Sequence, residues 1–139
     1  MEKLVLQYDS MIQAYKTLEE AIQLSKVDVL FIDPKLKKLC QDGLLQRFEY
    51  CYEVTWKYLK EYCRYFFAIE VTSPKTVFQE CWKQKIINES ELEQCINMIN
   101  DRNKTSHIYS EKQAEIISEH IENYMRLMNQ IADRVIPTK

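Results

Sequence analysis

The stretch GLLQRFEYCYEVTWKYLKEYCRYFFA, residues 43–68, decides the fold. Leu45, Phe48, Tyr52, Thr55, Leu59, Tyr62 and Phe66 recur in steps of three and four, the spacing that collects side chains on one face of an α-helix. After Gly43 no glycine or proline interrupts the run. It therefore predicts a long amphipathic helix beginning at Leu36 or at Gly43 and ending near Ala68.

The same rhythm appears on both sides. Leu4, Tyr8, Met11, Tyr15, Leu18 and Ile22 predict a first helix that covers most of residues 1–24. VDVLFIDPK, residues 27–35, is too short for another helix and ends in the turn signal Asp33-Pro34. It reads as a loop whose apolar residues cover one end of the core. Downstream, Thr72-Ser73-Pro74 supplies an N-cap followed by proline at the first helical position, so a short helix should run from Pro74 to about Gln84, with Val77, Phe78, Cys81 and Trp82 on its apolar face. Asn88 or Ser90 can cap a fourth helix carrying Leu92, Cys95, Ile96 and Ile99. Ser110 begins a fifth, with Ala114, Ile117, Ile121, Tyr124, Met128, Ile131 and Val135 on one seam. The prediction is an all-α, antiparallel up-down four-helix bundle with one additional short helix, forming a single domain over residues 1–139. The stripes are rich in aromatic residues and methionine and read by default as core; because they offer more apolar surface than four such helices need to bury, a homodimer face is the alternative.

Composition narrows the function. A single glycine in 139 residues excludes both GxGxxG and GxxxxGK[ST], and with them a Rossmann dinucleotide site and a P-loop. Nineteen Lys and Arg against twenty-one Asp and Glu leave a net charge of −2 with the signs mixed along the chain. Residues 35–64 are the most basic segment, with seven positive and four negative side chains, so any RNA contact must be local rather than a broad basic face. Cys40, Cys51, Cys63, Cys81 and Cys95 lie eleven to eighteen residues apart, with neither zinc nor thioredoxin spacing. Cys51, Cys63, Cys81 and Cys95 read as small core residues, and no metal site is expected. The charged start MEKLVLQYDS lacks an apolar run, so neither a signal peptide nor a membrane span is predicted, and the expected compartment is the cytoplasm.

Polar donors concentrate in Asn100-Asp101-Arg102-Asn103-Lys104-Thr105-Ser106-His107-Ile108-Tyr109-Ser110. One reading is structural: Arg102 and His107 complement the last carbonyls of the fourth helix. The other is chemical. An imidazole moves protons near neutral pH and a guanidinium forks onto phosphate, which together suit phosphoryl chemistry without a metal. On a continuous helix, five residues turn through about 140°, so the pair would not share a face. Either the helix breaks near Thr105-Ser106, or two copies assemble the site across a dimer axis. His120, the other histidine, falls one residue before the seam position Ile121 and reads as a boundary side chain.

Arg102 to His107 fits the R-x4-H pattern of HEPN domains, and Tyr109 extends it to R-x4-H-x-Y, which resembles the HepT toxins that pair with a minimal nucleotidyltransferase, MntA. A second block, Arg47-Phe48-Glu49-Tyr50-Cys51-Tyr52-Glu53-Val54-Thr55-Trp56-Lys57, with Ser73-Pro74 and Val77-Phe78, resembles the HEPN branch called nucleotidyltransferase substrate-binding proteins. The resemblance covers roughly residues 1 to 135. It implies a dimeric helical bundle that binds a small nucleotidyltransferase encoded nearby, with any ATP held by that partner and no cofactor on this chain. It further implies RNA cleavage by attack of the 2′-hydroxyl, with His107 as general base or acid, Arg102 stabilising charge on the phosphate and Asn103 supporting them. Tyr109 matches the tyrosine that the partner adenylylates, which would silence the ribonuclease. The substrate-binding branch implies an alternative: a non-catalytic subunit that holds a nucleotide or substrate for the transferase. Glu53 and Lys57 form a favourable i,i+4 pair, and Arg47, Glu49 and Trp56 are candidate cleft or dimer contacts.

Overall fold

The computed structural model describes residues 1–27, 33–107 and 110–138, and among them every regular element is a helix. Five follow in order: α1 (Glu2–Leu24), α2 (Pro34–Phe67), α3 (Pro74–Lys83), α4 (Glu89–Thr105) and α5 (Glu111–Arg134). α2 touches all four others, α1 and α4 each pack on α2 and α5, and the short α3 fastens to α2 and α4. This is the expected bundle with one short helix. Residues 28–32 of the expected covering loop lie outside the described residues.

The chain starts its helices where polar caps meet backbone N–H groups that have no partner inside the helix. Asp33 accepts from the amides of Lys35 and Leu36 at 3.0 and 3.4 Å, and Pro34 follows at the first helical position. Ser73 and Thr76 form a reciprocal capping box on α3. Asn88, rather than Ser90, caps α4, accepting from the Glu91 amide at 2.8 Å while Glu91 Oε1 accepts from the Asn88 amide at 3.0 Å. Ser110 accepts from the Gln113 amide at 3.3 Å on α5. Left-handed turns, which favour glycine, fall instead on Ala68 (φ 54°) and Lys85 (φ 63°).

The stripes read from the sequence form the core. Met11, Tyr15, Leu18, Phe48, Leu59, Ile121, Met128 and Ile131 are almost completely enclosed, each large apolar side chain contributing about 1.5–3 kcal/mol on burial. Cys51, Cys63, Cys81 and Cys95 are free and buried, and burial pushes the Cys51 and Cys95 thiols up to about 12, which leaves them protonated core residues. Buried phenols find partners: Tyr15 meets Thr55 Oγ1, and Tyr58 donates to the Val135 carbonyl, tying the chain end to α2.

Two faces differ from the expectation. Trp82 is 43% exposed, while Glu80, two residues before it on α3, is buried and accepts from Gln84 Nε2 at 3.0 Å. On α4 the inner stripe is Glu91, Cys95, Met98 and Asp101, with Leu92, Ile96 and Ile99 only half-buried. Apolar spacing located the outer edge of this face because both ends of the inner stripe are acids.

Glu91 joins α4 to the end of α5. Arg134 Nη1 donates to its Oε1 at 2.8 Å, and that bond, with the Asn88 amide, holds the Glu91 carboxyl below its ordinary value of 4.5. A depressed folded value means the pair stabilises the fold above the unfolded pKa, and the contribution disappears as pH falls through the folded one. Glu91→Gln keeps the cap geometry and removes the charge. It should cost about 1 kcal/mol at pH 7, since Arg134 is partly solvated, and flatten the acid limb of stability below pH 4.5. Urea midpoints at pH 7 and pH 3 read both effects; equal differences between the two proteins at both pH values would refute the linkage.

Candidate functional site

α4 stops at Thr105, with Ser106 as its C-cap. Thr105 itself closes the last turn by donating to the Arg102 carbonyl at 2.7 Å, a local side-chain bond that competes with helix continuation. His107 follows, exposed, with its amide donating to the Lys104 carbonyl at 2.9 Å. The break near Thr105-Ser106 is the first of the two alternatives left open by the spacing. Tyr109 lies outside the described residues.

Arg102 remains on the helix and faces α2. Its Nη2 is 3.5 Å from Glu49 Oε2 and its Nη1 donates to Thr105 Oγ1 at 3.3 Å. Both contacts are long for charge-assisted pairs, which close to about 2.7–2.9 Å. The guanidinium Nε is buried and has no hydrogen-bond partner among the described residues. Beside it, Tyr52 is pushed up to about 12, first by burial and then by Glu53, with the Arg102 charge opposing. The two motif blocks thus meet in space through Glu49 and Arg102.

Of the other candidate contacts in the second block, Arg47 serves α1 and Glu53, Trp56 and Lys57 the surface of α2. Arg47 Nη1 donates to the Thr17 carbonyl at 2.8 Å, away from Arg102. Glu53 Oε2 accepts from Trp56 Nε1 at 3.1 Å and lies 3.5 Å from Lys57 Nζ, the expected i,i+4 pair. Lys57 Nζ also sits 5.9 Å from the Trp56 ring centroid.

Asn103 and His107 line a depression of about 480 Å³ with Asn100, Lys104 and Gln113. It joins the end of α4 to the first turn of α5. Lys104 and the amide side chains can hold a phosphate and its ester oxygens, and His107 can exchange a proton with them. Arg102 is on the neighbouring face of the same turn and is not part of the lining. Among the described residues no group of three His, Cys, Asp or Glu side chains is placed to hold a metal ion, and no helix is long and apolar enough to cross a membrane.

One cluster had no assigned role in the sequence. Asp101, buried between α4 and α5, accepts from the Tyr124 hydroxyl at 2.5 Å and from His120 Nδ1 at 2.8 Å, both on Oδ2. Burial, followed by this hydrogen bond, raises the Tyr124 phenol, so it stays a donor. His120 is indeed a boundary side chain, but with a buried carboxylate fixing its ring. The signal was available: Asp101 repeats the step of three from Cys95 to Met98, which marks an acid on a buried seam.

Residues 6–136 match the family model described as nucleotidyltransferase substrate binding protein like. A Thermus thermophilus protein is 31% identical, aligns over 89% of this chain and 99% of its own, and superposes with a TM-score of 0.76. A Haemophilus influenzae protein, described as having the fold of a substrate binding domain of a nucleotidyltransferase, gives a TM-score of 0.80 at 18% identity over 94% of this chain and 99% of its own. A tri-AMPylated Shewanella oneidensis HEPN toxin in complex with MNT antitoxin gives 0.67 at 17% identity, over 90% and 95%. The last two likenesses, at such low identity, show a shared fold. No curated protein matches the chain by sequence. With nearly its whole length matched and its helices in the same arrangement, this chain belongs to the nucleotidyltransferase substrate-binding-like family and has the HEPN fold.

Proposed function

We propose that this protein is the HepT-like HEPN component of a two-protein toxin–antitoxin system, a metal-independent ribonuclease that a minimal, MntA-like nucleotidyltransferase silences by adenylylating Tyr109. The observation that carries the reading is Arg102: a guanidinium with a buried, unpartnered Nε and only long contacts to Glu49 and Thr105, one turn before the helix ends and exposes His107. Such a group gains more from a phosphate oxygen than from its present neighbours.

In this mechanism the 2′-hydroxyl of the substrate ribose attacks the adjacent phosphorus and the P–O5′ bond breaks. The products are a 2′,3′-cyclic phosphate and a 5′-hydroxyl. His107 takes the proton from the 2′-oxygen or returns one to the departing 5′-oxygen, Arg102 stabilises the charge on the phosphoryl oxygens, and Asn103 holds the scissile group by hydrogen bonding. In a homodimer, the second copy's His107 fills the complementary acid or base role. Adenylylation joins the Tyr109 phenol oxygen to the α-phosphorus of ATP, releasing pyrophosphate and the phenolic proton. The added anion, two residues along the chain from His107, then repels RNA phosphate. The Shewanella oneidensis toxin, AMPylated and bound to its MNT antitoxin, supports this partner assignment by likeness of fold.

The test uses unmodified chain, expressed without the partner, incubated with RNA in EDTA. Cleavage leaving 2′,3′-cyclic ends is expected; absence of both cleavage and growth inhibition would refute the ribonuclease. Co-expression with an MntA-like nucleotidyltransferase should add one or more AMP units to the intact mass, and Tyr109→Phe should abolish the gain. A gain that persists removes Tyr109 from the mechanism.

A non-catalytic subunit, presenting a nucleotide or substrate to the transferase, draws on the Glu49 carboxylate that already sits against Arg102. It predicts nucleotide binding and partner binding with no RNA cleavage.

A further inference from the structure

A net charge of −2 raises the question of what could hold RNA on this fold. Around the buried Asp101 lies a groove of about 510 Å³ between α4 and α5 whose polar lining includes Gln94, Asn97, His120, Asn123 and Gln130. The α4 members fall on one stripe, since Asn97 and Asp101 are one turn apart and Gln94 is one turn before. On α5, His120 is followed by Asn123 three residues later and by Gln130 after a further seven, again one stripe. The groove sets four carboxamides beside the Asp101 carboxylate, the Tyr124 phenol, Arg126 and Leu127.

Carboxamides carry a donor and an acceptor in one plane, the pattern that pairs with the edges of nucleobases. His120 adds a ring face, with its side chain 47% exposed, and Asp101 fixes its orientation through Nδ1. Unstacked bases lie against such planar side chains in single-stranded RNA recognition. A buried carboxylate is costly unless its hydrogen bonds are made, and here they hold His120 and Tyr124 in place.

The groove also has a direction. Asn100 and Lys104 lie one turn along from Asn97 and Asp101 on the adjoining stripe of α4, and both line the depression that contains His107. On α5, Gln113 in that depression is seven residues, two turns, before His120. The two hollows therefore adjoin along the same pair of helices.

We propose that the α4–α5 groove is the substrate track of this protein, binding unpaired RNA bases through Gln94, Asn97, Asn123, Gln130 and the Asp101-held ring of His120, and leading the strand to His107. The proposal rests on the ribonuclease reading for its choice of ligand. It explains how a chain without a basic face engages RNA: the bases, not the phosphates, supply the affinity.

This makes salt dependence diagnostic. Lys104 lines one hollow and Arg126 the other, with Arg102 on the neighbouring face of α4, and Arg126 already donates to Asn123 Oδ1 at 2.6 Å. Three phosphate contacts on single-stranded RNA give a slope of about −2 in log K against log salt, or roughly 20-fold between 50 and 200 mM, where eight contacts would give more than a thousandfold.

The experiment measures fluorescence anisotropy of labelled octa-adenylate and octa-uridylate on full-length His107→Ala protein, which keeps the probe intact, with and without Asn97→Ala/Asn123→Ala. Both asparagines are exposed, so the fold should be retained, as checked by circular dichroism and Tm. Expected are a tenfold or greater loss of affinity in the double variant and a salt slope no steeper than about −2. Affinity within twofold of the parent, no binding of either oligonucleotide by the parent, or a slope near −5 overturns the track. Cleavage by wild-type protein that the two asparagine substitutions leave unchanged sinks the track alone; groove-dependent binding without any wild-type cleavage sinks the ribonuclease reading alone.

Discussion

His107→Ala should lower RNA cleavage by about 10²–10⁴-fold, the range that one positioned proton-transfer group contributes. The imidazole is exposed beyond the end of α4, so its removal should change stability by no more than about 0.5 kcal/mol. Loss of cleavage with unchanged circular dichroism, dimerisation and partner binding is the expected combination, measured on one preparation. Cleavage at the wild-type rate would remove His107 from the chemistry. Arg102→Lys is the informative companion, because it keeps the charge and discards the planar fork. If Arg102 stabilises phosphoryl charge through two nitrogens, the lysine protein should retain RNA affinity and lose rate.

Phe48→Ala should cost about 3–5 kcal/mol, the usual range for emptying a fully enclosed aromatic site. Phe48 has no exposure, and its ring stacks on Tyr124 with centroids 5.6 Å apart and planes at 21°. That contact fastens α2 to α5 at the level of Asp101, so the cavity would open beside the Tyr124 hydroxyl. Against a total of about 5–15 kcal/mol for a domain, the loss is large enough to shift the urea midpoint far to the left. A shift corresponding to less than about 1.5 kcal/mol would mean the neighbouring helices collapse into the space, and that Phe48 is not the anchor its burial implies.

Period alone carried most of the helices. Met11, Tyr15 and Leu18 on α1, and Ile121, Met128 and Ile131 on α5, are buried where three-four spacing put them. Caps marked the starts of α3 and α5, because Ser73 and Ser110 announce themselves chemically. What spacing omits is the identity of the helix opposite. Glu49 meets Arg102 across fifty-three residues, and Asp101 meets His120 and Tyr124 across nineteen and twenty-three. Each pairing depends on how α2, α4 and α5 are rotated about their axes, which is decided by packing. Trp82 illustrates the other failure. Its neighbours Val77, Phe78 and Cys81 are enclosed, yet its ring, at the edge of a short helix, is left partly uncovered among the described residues.

The start of α2 has a consequence for motion. The sequence allowed this helix to begin at Leu36 or at Gly43, and geometrically it begins at Pro34, but residues 34–39 are all exposed and the first buried residue of the helix is Leu44. Gly43, at the boundary, has nothing within 4 Å of where a Cβ would stand. One helix by its hydrogen bonds is therefore two by its protection against solvent. Amide protons before Gly43 should exchange through local opening, in seconds to minutes, whereas those of Phe48 and Leu59 should wait for opening of the whole domain. An exchange experiment that found uniform protection from Leu39 to Leu59 would contradict this division. The first turns of α2 are thus the segment that can unwind or re-form while the bundle beneath them stays folded.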